Sequence, residues 1–166
     1  QGERLSSSLQ SMGTTFIKLG QFLATRPDII GDELSKELEN LQDRLPPFSQ
    51  DKAREIIKKD LGEQSFNSII NLSEPVAAAS IAQVHKAQIN DGGTIKDVAI
   101  KILRPDIKKI FNEEIDALML FAFFVESFVK KTKRLKLVEV VFLLKEITNL
   151  EMDLRFEAAA ANEYGE

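Results

Sequence analysis

The residues of this sequence that could do chemistry are lysines and carboxylates. The chain has 166 residues, no cysteine and a single histidine, His85. This composition excludes disulfides, thiolate nucleophiles, the common zinc sites and metal sites built on several histidines. Any catalytic or binding chemistry must therefore come from carboxylates, lysines and the backbone.

Two segments in the middle of the chain follow the order of the phosphate-binding elements of protein kinases. In those enzymes a G-x-G-x-x-G-x-V loop covers the ATP phosphates, and the lysine of a V-A-I-K strand contacts the α and β phosphates. Residues 98–101 read V-A-I-K here, and the loop template falls, with alanine in place of every glycine, on Ala77, Ala79, Ala82 and Val84. Taken alone, such a lysine is usually a surface residue and such alanines usually serve packing. Their order around a predicted hairpin favours the kinase-like interpretation.

The alanines have a physical consequence for phosphate binding. A Cβ at each loop position restricts positive φ and keeps the backbone farther from a phosphate than glycine would. We therefore expect a nucleotide to bind in an altered pose or with altered selectivity.

Two further motifs make the resemblance specific. Residues 18–21, Lys-Leu-Gly-Gln, are similar to the K-x-G-Q motif of UbiB-type atypical kinases, the family associated with ubiquinone biosynthesis, and residues 151–153, Glu-Met-Asp, are similar to its E-x-D motif. Residues 75–85 resemble the alanine-rich loop of that family. The motifs occur in family order, and the resemblance spans residues 18 to 157.

The resemblance implies a role for each motif. The cofactor would be ATP or ADP with Mg²⁺, with the metal ligands in the missing C-lobe. The nucleotide would be bound by the V-A-I-K lysine, by the glutamate that follows E-x-D and by the loop, which are Lys101, Glu157, Ala77, Ala78, Ala79 and Ser80. The K-x-G-Q helix would lie across the nucleotide cleft and gate it, with Lys18, Gly20 and Gln21 facing Glu151 and Asp153. Independently, Gly20 costs its helix about 1 kcal/mol, which suggests a close backbone contact there. The alternative for the three acids is a solvated helix face.

The sequence has no H-x-D and no D-F-G motif, which carry the catalytic and metal-binding acids of kinases. We therefore expect the N-terminal half of such a protein, with the C-lobe absent, no catalytic residue or metal ligand in this part, and no ATP turnover by this part alone.

The elements that must position these motifs follow from periodicity and from Gly and Pro punctuation. Helices are predicted at residues 11–24, 32–45, 49–62, 106–129 and 137–164, and a hairpin at 80–103 around a turn at 90–93. Residues 66–72 are ambiguous. A buried stripe is predicted in the last helix at Leu143, Ile147, Leu150, Leu154, Ala158 and Ala161.

The predicted fold is α+β and similar to the N-lobe of a protein kinase, with a small antiparallel sheet near residues 74–103 and a helical insertion. Residues 1–72 would form a helical N-terminal extension that carries the K-x-G-Q motif, and residues 73–166 would form the kinase-like lobe.

The charge and the hydropathy of the sequence limit the possible partners. The net charge of −4 gives no basic field for nucleic acid. The longest apolar stretch, residues 117–125, is shorter than the roughly 20 residues that a membrane span needs. The basic link at residues 130–136 is either a solvated loop or a contact for anionic lipid head groups.

We expect a nucleotide ligand, with a lipid, a quinone precursor or other ubiquinone-biosynthesis proteins as further partners. The expected location is peripheral to the inner membrane, on its cytoplasmic or mitochondrial matrix side. The alternative function is a non-enzymatic helical scaffold or lipid-binding module with a vestigial kinase-like lobe, in which Lys101 and Glu157 need not meet.

Overall fold

The computed structural model of the protein describes residues 8–9, 11–41 and 45–154. Its main elements in chain order are α1 (Thr14–Ala24), α2 (Pro27–Ile30), α3 (Asp32–Glu39), α4 (Gln50–Asn67), β1 (Ile69–Ala78), β2 (Ala82–Asp91), β3 (Thr94–Leu103), α5 (Ile107–Phe128), a 3₁₀ helix (Lys130–Leu135) and α6 (Leu137–Glu151). The chain forms two compact units, residues 44–107 and residues 1–43 with 108–166. We call them the sheet unit and the helical unit. The motif-based division at residue 72 stays a prediction.

The sheet is antiparallel, with strand order β1-β2-β3. The predicted turn between β2 and β3 is present: Gly92 and Gly93 have positive φ, and Gly93 N–H donates to the Asn90 side chain at 2.8 Å. The sequence did not predict β1, whose pairing with β2 shifts register at several points and so lacks a clean period of two. The sheet confirms the predicted α+β fold class.

Helix α4 covers one face of this sheet. It begins at the predicted cap, where Ser49 accepts a hydrogen bond from Lys52 N–H at 3.3 Å, and it kinks at Gly62, where the sequence predicted its end. A buried apolar cluster joins α4 to the strands and consists of Ala53, Ile57, Leu72, Ala87 and Ile102. Since side chains alternate along a strand, residues 84 and 86 of β2 project from the other face. We call that second face the open face.

In the helical unit, α1 lies against α3. Gly20 is buried on α1, and a Cβ there would lie 2.7 Å from Leu41 Cδ2 and 2.9 Å from Leu9 Cδ1. The close approach predicted at Gly20 is therefore present. Helix α3 ends at Glu39, earlier than the predicted residue 45, and Asn40 follows as its C-cap.

The predicted buried stripe of the last helix is wrong for three of its four members that the structure describes, while the fourth, Leu154, is half-buried. Leu143, Ile147 and Leu150 are 43%, 43% and 60% exposed. The buried residues of α6 are instead Val140, Val141, Leu144 and Thr148. The helix is apolar on both sides, so periodicity alone allowed two faces, and polar Thr148 made the buried face look less apolar than the exposed one. Residues 155–164 of the predicted helix lie outside the described residues.

Candidate functional site

The V-A-I-K lysine and the alanine-rich segment share the open face of the sheet. Val84 on β2 pairs with Ala77 on β1 and with Lys101 on β3. Directly paired residues project from the same face, so the three side chains stand in one row across the strands. Two strand spacings, about 10 Å, separate the backbone of Ala77 from that of Lys101. Ala77 is exposed and Lys101 is half-buried.

The alanine-rich segment is a tight turn between β1 and β2. Ala77 and Ala78 end β1, and residues 79–81 connect it to β2. Ala79 N–H closes the turn by donating to Ala82 O at 2.8 Å, and Ser80 is buried. We call residues 77–81 the alanine turn. Positive φ among the described non-glycine residues is confined to positions 106 and 136, so the turn is formed without it. Alanine therefore fits this backbone without strain.

Arg104 binds the alanine turn through its guanidinium group. Its Nε and Nη2 both donate to Ala79 O, at 3.0 and 2.8 Å. The same group donates to Pro46 O at 3.0 Å through Nη1 and to Leu45 O at 3.2 Å through Nη2. The Arg104 backbone N–H donates to Ile81 O at 2.9 Å. One side chain thus joins the turn to the segment that precedes α4.

Sequence reasoning missed Arg104 as a functional residue. A signal was available in the register of β2 and β3. Ala82 pairs with Leu103, so the next residue along β3 must lie beside Ile81 in the turn. An arginine at that position has the reach and the several donors to bind turn carbonyls.

A second buried hydrogen-bond network supports the same segment from β2. Gln83 exchanges hydrogen bonds with the Phe48 backbone, accepting from N–H at 3.0 Å and donating to the carbonyl at 3.2 Å. Gln83 Nε2 also lies 2.9 Å from His85 Nε2, while His85 Nδ1 lies 2.8 Å from Ser73 O. Since a carbonyl only accepts, Nδ1 carries the proton and Nε2 accepts from Gln83. His85 is thus a buried residue whose ring is held by hydrogen bonds within the sheet unit.

In the helical unit, the K-x-G-Q helix α1 meets the end of α6. Lys18 Nζ lies 2.7 Å from Glu151 Oε2, with the two side chains 12% and 43% exposed. Lys18, Gln21 and Glu151 also line a cavity of about 290 Å³ together with residues 22, 25, 144, 147 and 148. The structure therefore brings the first residue of K-x-G-Q together with the first residue of E-x-D. The gating roles of these residues stay a prediction.

Two contacts hold the ends of α1. The buried Thr15 hydroxyl donates to the Glu114 carboxylate on α5. At the other end, the Ser35 hydroxyl donates to Ala24 O. These bonds fix the helix that presents Lys18 and Gln21.

Of the other predicted acids, the structure describes Asp153 and not Glu157. Asp153 lies beyond the end of α6, where its backbone N–H donates to Leu150 O at 3.1 Å. Glu157 lies outside the described residues, so its pairing with Lys101 stays a prediction.

A cavity of about 690 Å³ lies over the middle of the sheet and is lined by residues 71–73, 86–88 and 97–99. Across it, Asn71 Nδ2 donates to Gln88 Oε1 and Gln88 Nε2 donates to Asp97 Oδ1, each at 3.0 Å. Its lining includes neither Lys101 nor the alanine turn. We therefore locate the candidate site by strand register, which ties it to specific side chains, and not by this cavity.

Charge pairing braces the far end of the sheet. The Lys96 ammonium is hydrogen-bonded to Asp91 beside the β2–β3 turn and lowers the pKa of that carboxyl below its ordinary value. This pair lies at the end of β2 opposite the alanine turn.

Within the part of the chain that the structure describes, no group of three histidines or acids could hold a metal ion, and no helix is long and apolar enough to cross a membrane.

Comparison with known proteins places these features in a family. The family model of the ABC1 atypical kinase-like domain matches residues 40–166. The chain belongs to the ABC1 atypical kinase-like family. The ABC1 match includes the alanine turn, Lys101 and the E-x-D residues, and it begins after the K-x-G-Q residues.

Relatives of known name extend the match to nearly the whole chain. A "Probable protein kinase UbiB" of Marinobacter nauticus is 39% identical over 164 residues, 98% of this chain. One of Azotobacter vinelandii is 38% identical over 161 residues, 96% of this chain. The chain spans about 29% of the length of each of these relatives. No solved structure matches the chain. The predicted resemblance to UbiB-type kinases is thereby confirmed.

Proposed function

We propose that the intact protein is an ATP-dependent kinase-like enzyme, either an ATPase or a small-molecule kinase, that supports ubiquinone biosynthesis. The observation that carries this proposal is the row formed by Ala77, Val84 and Lys101 across the open face. A lysine ammonium near a turn of small side chains resembles the lysine and loop with which protein kinases bind nucleotide phosphates. The "Probable protein kinase" names of the relatives support it.

The described residues fit the phosphate part of a nucleotide and not its metal ion. Lys101 supplies a positive charge on the open face, and the side chains of Ala77, Ala78 and Ala79 in the neighbouring turn are small. A bound ATP would supply the phosphoryl group. We propose that Glu157 orients Lys101 and that the Mg²⁺ ligands belong to other parts of the intact protein, since the metal-binding acids of kinases lie in motifs that this sequence does not contain.

We further propose that the pair Lys18–Glu151 gates access to the nucleotide. The Lys18 ammonium is nearly buried against the Glu151 carboxylate. This contact can break in a single step, because both charged groups gain hydration when they separate. Gln21 lines the same cavity and would move with Lys18. Asp153 would contribute through its charge near the same helix end.

Calorimetric titration of the intact protein with ATP and ADP, with and without Mg²⁺, tests the nucleotide proposal. Lys101→Ala should weaken binding by at least about tenfold, since charge-assisted hydrogen bonds to a phosphate are among the strongest that proteins make. Lys96→Ala is the matched control, because it removes a lysine from the same strand at the far end of the sheet. Equal affinities for wild type and Lys101→Ala would contradict the proposal.

A second candidate role, lipid binding, is favoured by an exposed apolar surface on α5. The surface, which we call the aromatic patch, consists of Leu120, Phe121, Phe123, Phe124 and Phe128. The basic 3₁₀ segment follows it, and its Lys133 and Arg134 are exposed. Exposed phenylalanines beside cationic residues suit a surface that lies in the head-group region of an anionic membrane. We propose that this patch makes the protein peripheral to a membrane, on its cytoplasmic or matrix side.

Nearby acids are engaged within the helical unit and do not oppose this role. Glu126 Oε1 accepts a hydrogen bond from Val138 N–H at 3.1 Å, at the start of α6. Glu139 pairs with Lys136 at 3.0 Å. The Glu126 carboxylate is thus stabilised by an amide at the N-terminus of α6, and the Glu139 charge is balanced by Lys136, one cation of the basic link.

Sedimentation with lipid vesicles tests the lipid role. The intact protein should bind vesicles that contain about one third anionic phospholipid more tightly than purely zwitterionic ones, because basic residues near the surface gain about 1 kcal/mol each. Phe124→Ser should weaken binding, whereas Ile95→Ser, at an exposed apolar site in the sheet unit, should not. Equal binding to both vesicle types, or no effect of Phe124→Ser, would contradict a membrane-docking patch.

A further inference from the structure

We infer that Arg104 is a positioning residue that fixes the backbone of the alanine turn and thereby sets the affinity and selectivity of nucleotide binding. The inference rests on the proposed nucleotide function. The positioning role is inferred from the two hydrogen bonds that the Arg104 guanidinium donates to Ala79 O, at 2.8 and 3.0 Å. A carbonyl held by two donors of a planar, charged group has little freedom to rotate, so the adjoining peptide planes are fixed as well.

The turn is joined to a second segment by the same residue. Arg104 also binds the carbonyls of Leu45 and Pro46. Gln83 fixes Phe48, three residues after Leu45, through two hydrogen bonds to its backbone. The chain before α4 is thus bound by Gln83 on β2 and by Arg104, the residue that follows β3. A turn ordered in this way does not need to be ordered by the nucleotide.

The hydrogen bonds from Arg104 matter for nucleotide binding because the alanine turn contains no glycine. A glycine-rich loop can adapt its backbone to the phosphates when they bind. The alanine turn is restricted to negative φ and is closed by the bond from Ala79 N–H to Ala82 O. Its shape before binding therefore determines how well it accepts a phosphate, and a preorganised shape improves affinity because less entropy is lost on binding. Arg104 maintains that shape and places a positive charge beside it.

Two substitutions separate the fork geometry from the charge. Arg104→Lys keeps the charge but loses the planar fork, so one ammonium cannot reproduce the same set of bonds to the three carbonyls. Arg104→Met removes both. Arg54→Lys is the matched control, since Arg54 is exposed on α4 of the same unit. All are measured in the intact protein by titration with ATP and with ADP, at a temperature well below the melting temperature of each variant.

The expected result is a loss of affinity of at least about tenfold in both Arg104 variants, with a changed ratio of ATP to ADP affinity and no change in Arg54→Lys. A merely structural role would lower the melting temperature and leave both affinities unchanged for the folded protein. That outcome would overturn the inference, and so would a wild-type affinity ratio in Arg104→Lys. If Arg104→Met does not fold, the lysine variant decides.

Hydrogen exchange distinguishes failure of this inference from failure of the proposed function. If wild-type protein binds neither nucleotide, the nucleotide function is refuted. The turn is then judged without ligand, because Arg104→Lys should speed exchange of the Ala79 amide by about tenfold relative to Arg54→Lys. An unchanged Ala79 exchange rate would overturn the positioning role whatever the nucleotide result.

Discussion

The contact between Lys18 and Glu151 allows the gating proposal to be tested quantitatively. Lys18 is 12% exposed and Glu151 is 43% exposed, with 2.7 Å between the charged atoms. Breaking a fully buried pair costs about 3–5 kcal/mol, and an exposed pair contributes about 0–1 kcal/mol. Because one partner remains nearly half in water, we expect a coupling free energy of about 1–2 kcal/mol.

Lys18→Met is the sharpest perturbation, because it keeps the buried aliphatic stem and removes only the charge. A cycle with Glu151→Gln, followed by urea unfolding of the intact protein, isolates the coupling between the two side chains. The control is a cycle at Lys145 and Asp116, a more exposed pair at 2.8 Å between α6 and α5. Its coupling should lie below about 1 kcal/mol.

Stability alone does not establish a gate, so nucleotide turnover is measured on the same variants. If the pair gates the cleft, Lys18→Met and Glu151→Gln should change turnover in the same direction, and the double variant should change it little further. Additive free energies, within about 0.3–0.5 kcal/mol, together with wild-type turnover in both single variants, would refute the gating proposal. That result would favour the scaffold alternative.

Further predictions concern residues within each of the two units. Gly20→Ala should change the free energy of unfolding by no more than about 1 kcal/mol. The new Cβ contacts only leucine methyl groups, and the higher helix propensity of alanine stabilises the helix by about 1 kcal/mol. Urea unfolding should show a larger loss of stability for Gly20→Val. His85→Leu should destabilise the protein by about 1–3 kcal/mol in the same assay, since it removes the hydrogen-bond partner of one Gln83 amide N–H and of the Ser73 carbonyl. Ala79→Gly should change the ratio of ATP to ADP affinity measured by calorimetry, and an unchanged ratio would exclude control by the turn. The pKa of Asp91, measured by NMR, should lie below its ordinary value of 3.8. The bond to Lys96 should therefore stabilise the hairpin above pH 3.8, and this stabilisation should be lost as the pH falls through the lowered pKa. A normal pKa would contradict the pairing.

The parts of the fold with strong local chemistry were predictable. The sequence Asn-Asp-Gly-Gly specified the turn at residues 90–93 because two consecutive positive φ values favour glycine. Residues 98–101 formed the predicted strand because apolar β-favouring residues lay between turn and proline. The meeting of Lys18 with Glu151 was expected from the family resemblance and could not follow from spacing, since 132 intervening residues separate them in the sequence.

The features that sequence reasoning missed depend on long-range geometry. The donors of Arg104 find carbonyls at residues 45, 46 and 79, and only the strand register brings these together. Strand β1 escaped prediction because its register shifts break the alternation of apolar and polar residues. The buried face of α6 was misassigned because apolar residues lie on both sides of that helix, and only packing against neighbours selects one.

Nucleotide binding at the open face beside the alanine turn is the central claim, and alanine methyl NMR of the intact protein tests it most directly. With ¹³C-labelled alanine methyl groups, ADP should shift the signals of Ala77 and Ala79 in a saturable way, with the affinity that calorimetry gives. Ala53, buried on the opposite face of the sheet, and Ala122, buried on α5, serve as internal references. The account predicts large shifts at the turn and small ones at both references. Shifts at the references with unmoved signals at Ala77 and Ala79 would contradict it.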